Sequence, residues 1–189
     1  MMNEVLKAIN ERRTVRDFKP DQIGDENLAA ILEAGSKAPS AWNRQPWYFT
    51  AVQKKSLLDR IVDAAREVIQ KVFPEQSETM PWMVAPSFHY FYNAPTVVFI
   101  SGLSGNEDAP GDCAMALMNM IYAAHSLGIQ TCAITTGLAA FTTDAAPEFL
   151  ADLGIPDGYK PLYALALGHT SKPIPTAAPR KEDYANYIR

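Results

Sequence analysis

From Cys113 to Leu127 nearly every side chain is apolar, with Asn119 and His125 as the interruptions. A helix of that composition has no face to give to water and must be covered all round. Two arrangements achieve this. The helix can lie at the centre of a domain, or part of its surface, carrying the adaptable side chains of Met115, Met118 and Met120, can pack against a second subunit. The stretch falls short of the ~20 residues that span a bilayer, so no membrane segment is expected. A chain of 189 residues with 48% apolar content can enclose one such helix and is too short for two ordinary domains, so residues 1–189 read as a single unit.

Alternating elements surround that helix. Residues 3–10 read as a short helix capped by Asn3, and 25–34 as a second, led by Asp25, with Leu28, Ile31 and Leu32 on one face and Gly35 as its stop. WYFTAV at 47–52 is a β-rich run. Ser56 to Asp59 forms a capping box ahead of a helix on which Leu57, Leu58, Ile61, Val62, Ala65, Ile69 and Val72 keep helical spacing. Residues 73–93 have no clear period, carry Pro74, Pro81 and Pro86, and hold Trp82, Phe88, Tyr90, Phe91 and Tyr92; they read as an aromatic insertion. TVVFI at 96–100 is a strand, GLSGNEDAPG a loop, 112–127 a helix closed by Gly128, and QTCAITT at 130–136 another strand. A short helix ends at Gly154, PLYALALG at 161–168 is the last strand, and the tail 169–189 leaves the core. Taken alone, this alternation suggests a doubly wound parallel sheet.

Composition then narrows the chemistry. A net charge of -4 argues against a nucleic-acid scaffold. Cys113 and Cys132 sit in apolar stretches and no N-terminal export signal is read, so the expectation is a reduced, cytoplasmic protein. His89, His125 and His169 lack metal-ligand spacing, no GxSxG occurs, and Gly102, Gly105 and Gly111 fit neither a dinucleotide nor a phosphate-loop pattern. The remaining signal is ERRTVRDF, where Arg12, Arg13 and Arg16 follow the end of the apolar pattern Val5, Leu6 and Ile9. Clustered guanidinium groups repel unless solvent or an anion separates them, and their planar fork suits a phosphate. Basic residues at a helix C-terminus also favour the helix dipole, with Glu11 and Asp17 at hand to pair. Charge pattern alone leaves both readings open.

ERRTVRDF, APSAWNRQPWYF, NAPTVVFI, SLGIQTCAITTG, LGIPDGYKPLYALALGH and a late PRK, in that order from Leu6 to Lys181, together resemble the FMN-dependent nitroreductase family. Thr14 stands where that family usually has Ser, and Ala41 and Trp42 fill positions that are often small or polar. No residue of 66–92 matches the Asn or Lys that the family often sets near the flavin pyrimidine.

The resemblance implies an α+β fold: a central, mostly antiparallel sheet between helices, domain-swapped into a homodimer with FMN at the interface. It implies that Arg12, Arg13, Thr14 and Arg16 grip the phosphate and ribityl chain, with Arg180 or Lys181 closing from the tail. Pro39, Ser40, Ala41, Asn43 and Gln45 would meet the flavin ring from the neighbouring subunit; Asn43 and Gln45 also read simply as a turn before Pro46. Backbone N–H groups of Thr136 and Gly137 would face N5 and O4. NADH or NADPH would be the electron donor, a nitroaromatic or quinone the acceptor, and no side chain would need to act as acid or base. Trp42, Trp82, Phe88, Tyr90 and Tyr92 are candidates to line the acceptor space, or else core aromatics. The same residues would suit a non-catalytic FMN carrier or redox sensor, and an interaction domain whose arginines bind an acidic partner would be colourless.

Overall fold

The computed structural model describes residues 3–72 and 74–189; Met1, Met2 and Phe73, the expected start of the aromatic insertion, lie outside the described residues. The helices are α1 (Glu4–Glu11), α2 (Asp25–Ser36), α3 (Lys55–Val72), α4 (Pro74–Thr79), α5 (Ala109–Ser126) and α6 (Ala146–Asp152). The strands are β1 (Trp47–Val52), β2 (Thr96–Leu103), β3 (Gln130–Ile134) and β4 (Tyr159–Gly168). They form one sheet in the order β1-β2-β4-β3, and every neighbouring pair is antiparallel.

The parallel sheet suggested by the alternating pattern is therefore not formed, and two features explain why. After α3 the chain runs back through residues 74–95, so β2 starts level with the end of β1, where Gln53 Nε2 donates to Thr96 Oγ1 at 3.2 Å. Later, β4 enters between β2 and β3 and runs against both. An alternation of strand and helix says nothing of a return segment or of a strand inserted last.

Side chains alternate across the sheet, and both faces are covered. On one face Val98, Ile100, Leu165 and Leu167 pack with Ile31 of α2 and Cys113, Leu117, Met120 and Ile121 of α5. On the other, Val97, Phe99, Ala164 and Ala166 pack with Leu58, Ile61, Val62 and Ala65 of α3, and with Tyr90 and Phe91. Part of the aromatic segment is thus core: Phe91 is fully buried and Tyr90 nearly so, its hydroxyl donating to Met83 O at 2.9 Å.

Several local expectations shift by a residue or more. Asn3 caps α1 as expected, accepting from Leu6 N at 2.9 Å. Ser56 is not the cap of α3, which already begins at Lys55, where Lys55 Nζ bonds Asp59. Helix α5 starts early, at Ala109, because Pro110 falls in the first turn and gives up no needed N–H. Gly128 follows α5 at φ 72°. The central helix is covered along one side and open along another: Cys113, Ala116, Met120 and Ala124 are buried, so Met120 belongs to the chain's own core, while Met115 and Met118 remain about two-fifths exposed at 39% each. Helix α1 buries nothing, so Val5, Leu6 and Ile9 form a second exposed apolar strip.

Candidate active site

The three arginines occupy the segment that leaves α1 and runs beside the outer edge of the sheet. Thr14 makes a parallel bridge with Thr131 of β3, and Val15 N donates to Thr131 O at 3.0 Å. Val15 is buried, which fixes the segment in place. Arg13 turns back and caps α1, its Nη1 donating to Asn10 O at 2.6 Å and Arg12 O at 2.8 Å. The Nε atoms of Arg12 and Arg13 are buried without a hydrogen-bond partner among the described residues. Two such donors on successive residues call for an acceptor that the described residues do not provide. Arg16 lies farther along, with its guanidinium carbon 5.9 Å from the centre of the Tyr92 ring.

Because Thr14 and Thr131 pair in parallel, the arginine segment and β3 run the same way, and both lead to one depression. Arg16, Tyr92, Cys132, Thr135 and Thr136 line a cavity of about 180 Å³, with Trp82 and Phe88 on its wall. Thr135 and Thr136 also border a larger apolar cleft of about 700 Å³ formed by Val68, Ile69, Val72, Met80, Met83, Leu138 and Ala139. Among the described residues of 66–92, no Asn or Lys lines either cavity; that stretch supplies aliphatic, thioether and aromatic walls.

Strand β3 ends at Ile134, two residues short of the expected limit, and Thr136–Thr142 continue as a 3-10 helix. Its first closing bond is Leu138 N to Thr135 O at 2.9 Å, so the N–H groups of Thr136 and Gly137 precede the ladder. Gly137 is buried against Phe91: a Cβ there would stand 2.7 Å from Cζ of that ring. Close packing is what requires glycine here.

The stretch before β1 is elsewhere. Ala41 N donates to both carboxylate oxygens of Asp112, at 3.1 and 3.3 Å, and Asp112 is buried in the first turn of α5. Ser40 Oγ accepts from Gln45 N at 2.9 Å, Asn43 Oδ1 accepts from Gln45 Nε2 at 3.1 Å, and Pro39 is exposed. This stretch enters β1 at one sheet edge, whereas Thr136 follows β3 at the other. Three strand spacings, about 14 Å, separate those edges. The stretch also sits against α5 on one face, while Gly137 packs with Phe91 and α3 on the opposite one. Within one chain, then, residues 39–45 and 136–137 are not brought together. Neither are Arg180 and Lys181, since every residue from Ser171 to Arg189 is exposed and Lys181 pairs with Asp183 of the same tail at 3.5 Å. The tail is tied down no farther than Lys172, which pairs with Asp17 at 2.6 Å.

Neither thiol is poised as a nucleophile. Burial, with Asp112 beside it, pushes Cys113 up to about 12, and burial raises Cys132 against the opposing pull of Arg16.

The family model for the nitroreductase family matches residues 9–169. The chain belongs to the nitroreductase family. The match takes in the arginine segment, the 39–45 stretch and the 136–137 turn of this family member, and stops before Arg180 and Lys181. Its architecture superposes on a nitroreductase with bound FMN from Bacteroides fragilis at a TM-score of 0.89 and 32% identity, over 99% of this chain and 100% of that one. A nitroreductase with bound FMN from Desulfitobacterium hafniense gives a TM-score of 0.90 and 32% identity over the whole of both chains. A protein of Methanothermobacter thermautotrophicus, provisionally named NADH dehydrogenase/NAD(P)H nitroreductase, is 28% identical over 173 residues, 89% of this chain and 78% of its own length.

The arginine segment, by its charge, and the TTG turn, through the family resemblance, are motifs legible in the sequence. Asp112 and Phe91 are not. A lone acid in an apolar helix, and one ring among many in a Pro-rich stretch, give no sign of which loop or glycine they meet.

Proposed function

We propose that this nitroreductase-family chain is an FMN-dependent oxidoreductase that uses NAD(P)H to reduce a small aromatic acceptor, such as a nitroaromatic or quinone, and that it works as a homodimer. The observation that carries the reading is the pair of buried, unpartnered Nε–H groups on Arg12 and Arg13, at the start of a track that ends in the Thr135–Thr136 cleft. From Thr131 to Ile134 strand β3 covers about 10 Å before the chain turns into the 136–142 helix, so the arginine segment and the Thr136 turn stand at the two ends of one strand. The two relatives of 32% identity, each with FMN bound, support the same ligand.

The residues fit the group. Arg12 and Arg13, with the Thr14 hydroxyl, hold the phosphate by charge-assisted bonds. Arg16 would accompany the ribityl chain, and the Thr136 and Gly137 amides, which precede the hydrogen-bond ladder of their helix, would be the donors for the ring edge at N5 and O4. When bound, FMN supplies hydride chemistry, from NAD(P)H and onward to the acceptor. The protein's part is to anchor, orient and shield. Val68, Ile69, Met80 and Leu138 keep water from the cleft, and the two raised thiols stay out of the reaction.

One chain gives only half of such a site. Residues Pro39, Ser40, Ala41, Asn43 and Gln45 lie at the far edge of the sheet, and among the described residues Arg180 and Lys181 bond only to Ala178 and Asp183 of their own tail. A second copy supplies both, and the exposed strips Val5, Leu6, Ile9 and Met115, Met118 give it an apolar seat. Purified protein should carry about one FMN per chain and oxidise NADH or NADPH when a quinone is added. Flavin bound without such turnover would leave only a carrier.

A further inference from the structure

Trp42 is 88% exposed, on a stretch that the backbone holds in a costly shape. Its own φ and ψ are 55° and 22°, Asn43 has φ 55° and Gln45 φ 48°, none of them glycine. The left-handed region is disfavoured for an ordinary side chain, and here that cost is not offset by burying the indole. Nor is the stretch loose. Buried Asp112 holds the amide of Ala41, Ser40 and Gln45 close the turn across it, and Arg44 lies 3.7 Å from Asp108. No aromatic ring among the described residues stacks on the indole. The geometry is that of a large flat side chain presented outward by a braced loop.

We propose that Trp42 sets acceptor specificity: its indole is the surface against which a planar, electron-poor ring stacks at the partner subunit's flavin site. The proposal rests on the FMN-dependent, dimeric reading above. In one chain Trp42 sits at the wrong edge and face of the sheet to reach Thr136, so it serves a second copy. Indole is electron-rich on its faces, which favours offset stacking with an electron-deficient quinone or nitroaromatic. Among the described residues the larger of the two cavities beside Thr136 is lined by no charged side chain, so it also favours uncharged rings.

The test is steady-state kinetics of the FMN-loaded dimer with benzoquinone, a nitrobenzene and ferricyanide, the last a non-aromatic acceptor with no ring to stack. In Trp42→Ala the KM for the two aromatic acceptors should rise several-fold to about tenfold relative to the KM for ferricyanide, in line with the worth of one stacked pair. Trp42→Phe, which keeps a ring on the same left-handed backbone, should recover most of that loss. Flavin content checks that each variant is loaded. Unchanged ratios in Trp42→Ala, or a Phe variant no better than Ala, would overturn the assignment of Trp42 while the FMN reading stands. A wild-type protein that binds no FMN would overturn both.

Discussion

The carboxylate of Asp112 holds the backbone of Ala41, its two oxygens 3.1 and 3.3 Å from the amide nitrogen. This bond joins the central helix to the loop that carries Trp42 and Asn43. Removing the acceptor leaves a half-buried N–H without its partner, a loss of about 1 kcal/mol. Asp112→Ala should therefore lower the unfolding midpoint and weaken FMN retention together. Asp112→Asn, which keeps one acceptor oxygen, should lose less of both. Equal behaviour of the two variants would show that the contact with Ala41 is not what matters.

Gly137 faces Phe91 with no room for a methyl group. A Cβ would lie 2.7 and 2.8 Å from ring atoms of a fully buried phenylalanine. Overpacking of this kind costs about 1–3 kcal/mol, so Gly137→Ala should lower stability in urea unfolding without a change in slope. Adding Phe91→Leu should restore part of the loss, because the two sites share one contact. Additive effects would argue against that contact.

His89 predicts a pH dependence. Its Nδ1 accepts from Phe91 N at 3.1 Å and Asn93 N at 3.4 Å, and its Nε2 lies 3.3 Å from Asp59, the bonding of a neutral ring. Burial lowers its pKa below the ordinary 6.5, against the pull of Asp59, with Lys55 and Arg66 adding to the fall. The unfolded chain therefore takes up a proton near pH 6.5 that the folded chain refuses. Stability from this residue is complete above 6.5 and is lost as the pH drops through 6.5 toward the folded value. Thermal midpoints measured from pH 8 to 5 should fall in the acid range, and His89→Gln should flatten that part of the curve.

How much of this was legible beforehand depends on whether a signal is local. Asn3, the β-rich run of β1 and the helical spacing in α3 are local, and they stand within a residue or two of expectation. The strand order is not local, because it turns on the path of residues 74–95 and on β4 inserting between β2 and β3. The same division runs through the site. Arg12, Arg13 and Arg16 advertise themselves by charge in an acidic chain, whereas the turning of Arg13 back onto α1 and the separation of residues 39–45 from Gly137 depend on the assembled sheet. Tyr90 could have been cavity wall or core by composition, and its hydroxyl bond to Met83 O makes it core that also borders the Arg16 cavity.

Assembly can be probed on α5. Met118 is 39% exposed in one chain, so Met118→Glu has room to be solvated in a monomer and no room in an apolar interface. Sedimentation should show a dimer for wild type and monomer for the variant, with far-UV circular dichroism preserved. FMN should leave with the dimer, since residues 39–45 would no longer cover it. A variant that stays dimeric would move the interface away from this helix.

The central claim is that Arg12 and Arg13 hold a phosphate, and riboflavin is FMN without one. The measurement that bears on it most directly is the ratio of dissociation constants for FMN and riboflavin, read from quenching of flavin fluorescence in wild type and in Arg12→Ala. Charge-assisted hydrogen bonds contribute about 1.5–3 kcal/mol each, so wild type should prefer FMN at least about a hundredfold, at one site per chain, and Arg12→Ala should shrink that preference about tenfold or more. Equal affinity of the wild-type protein for FMN and riboflavin would contradict the account.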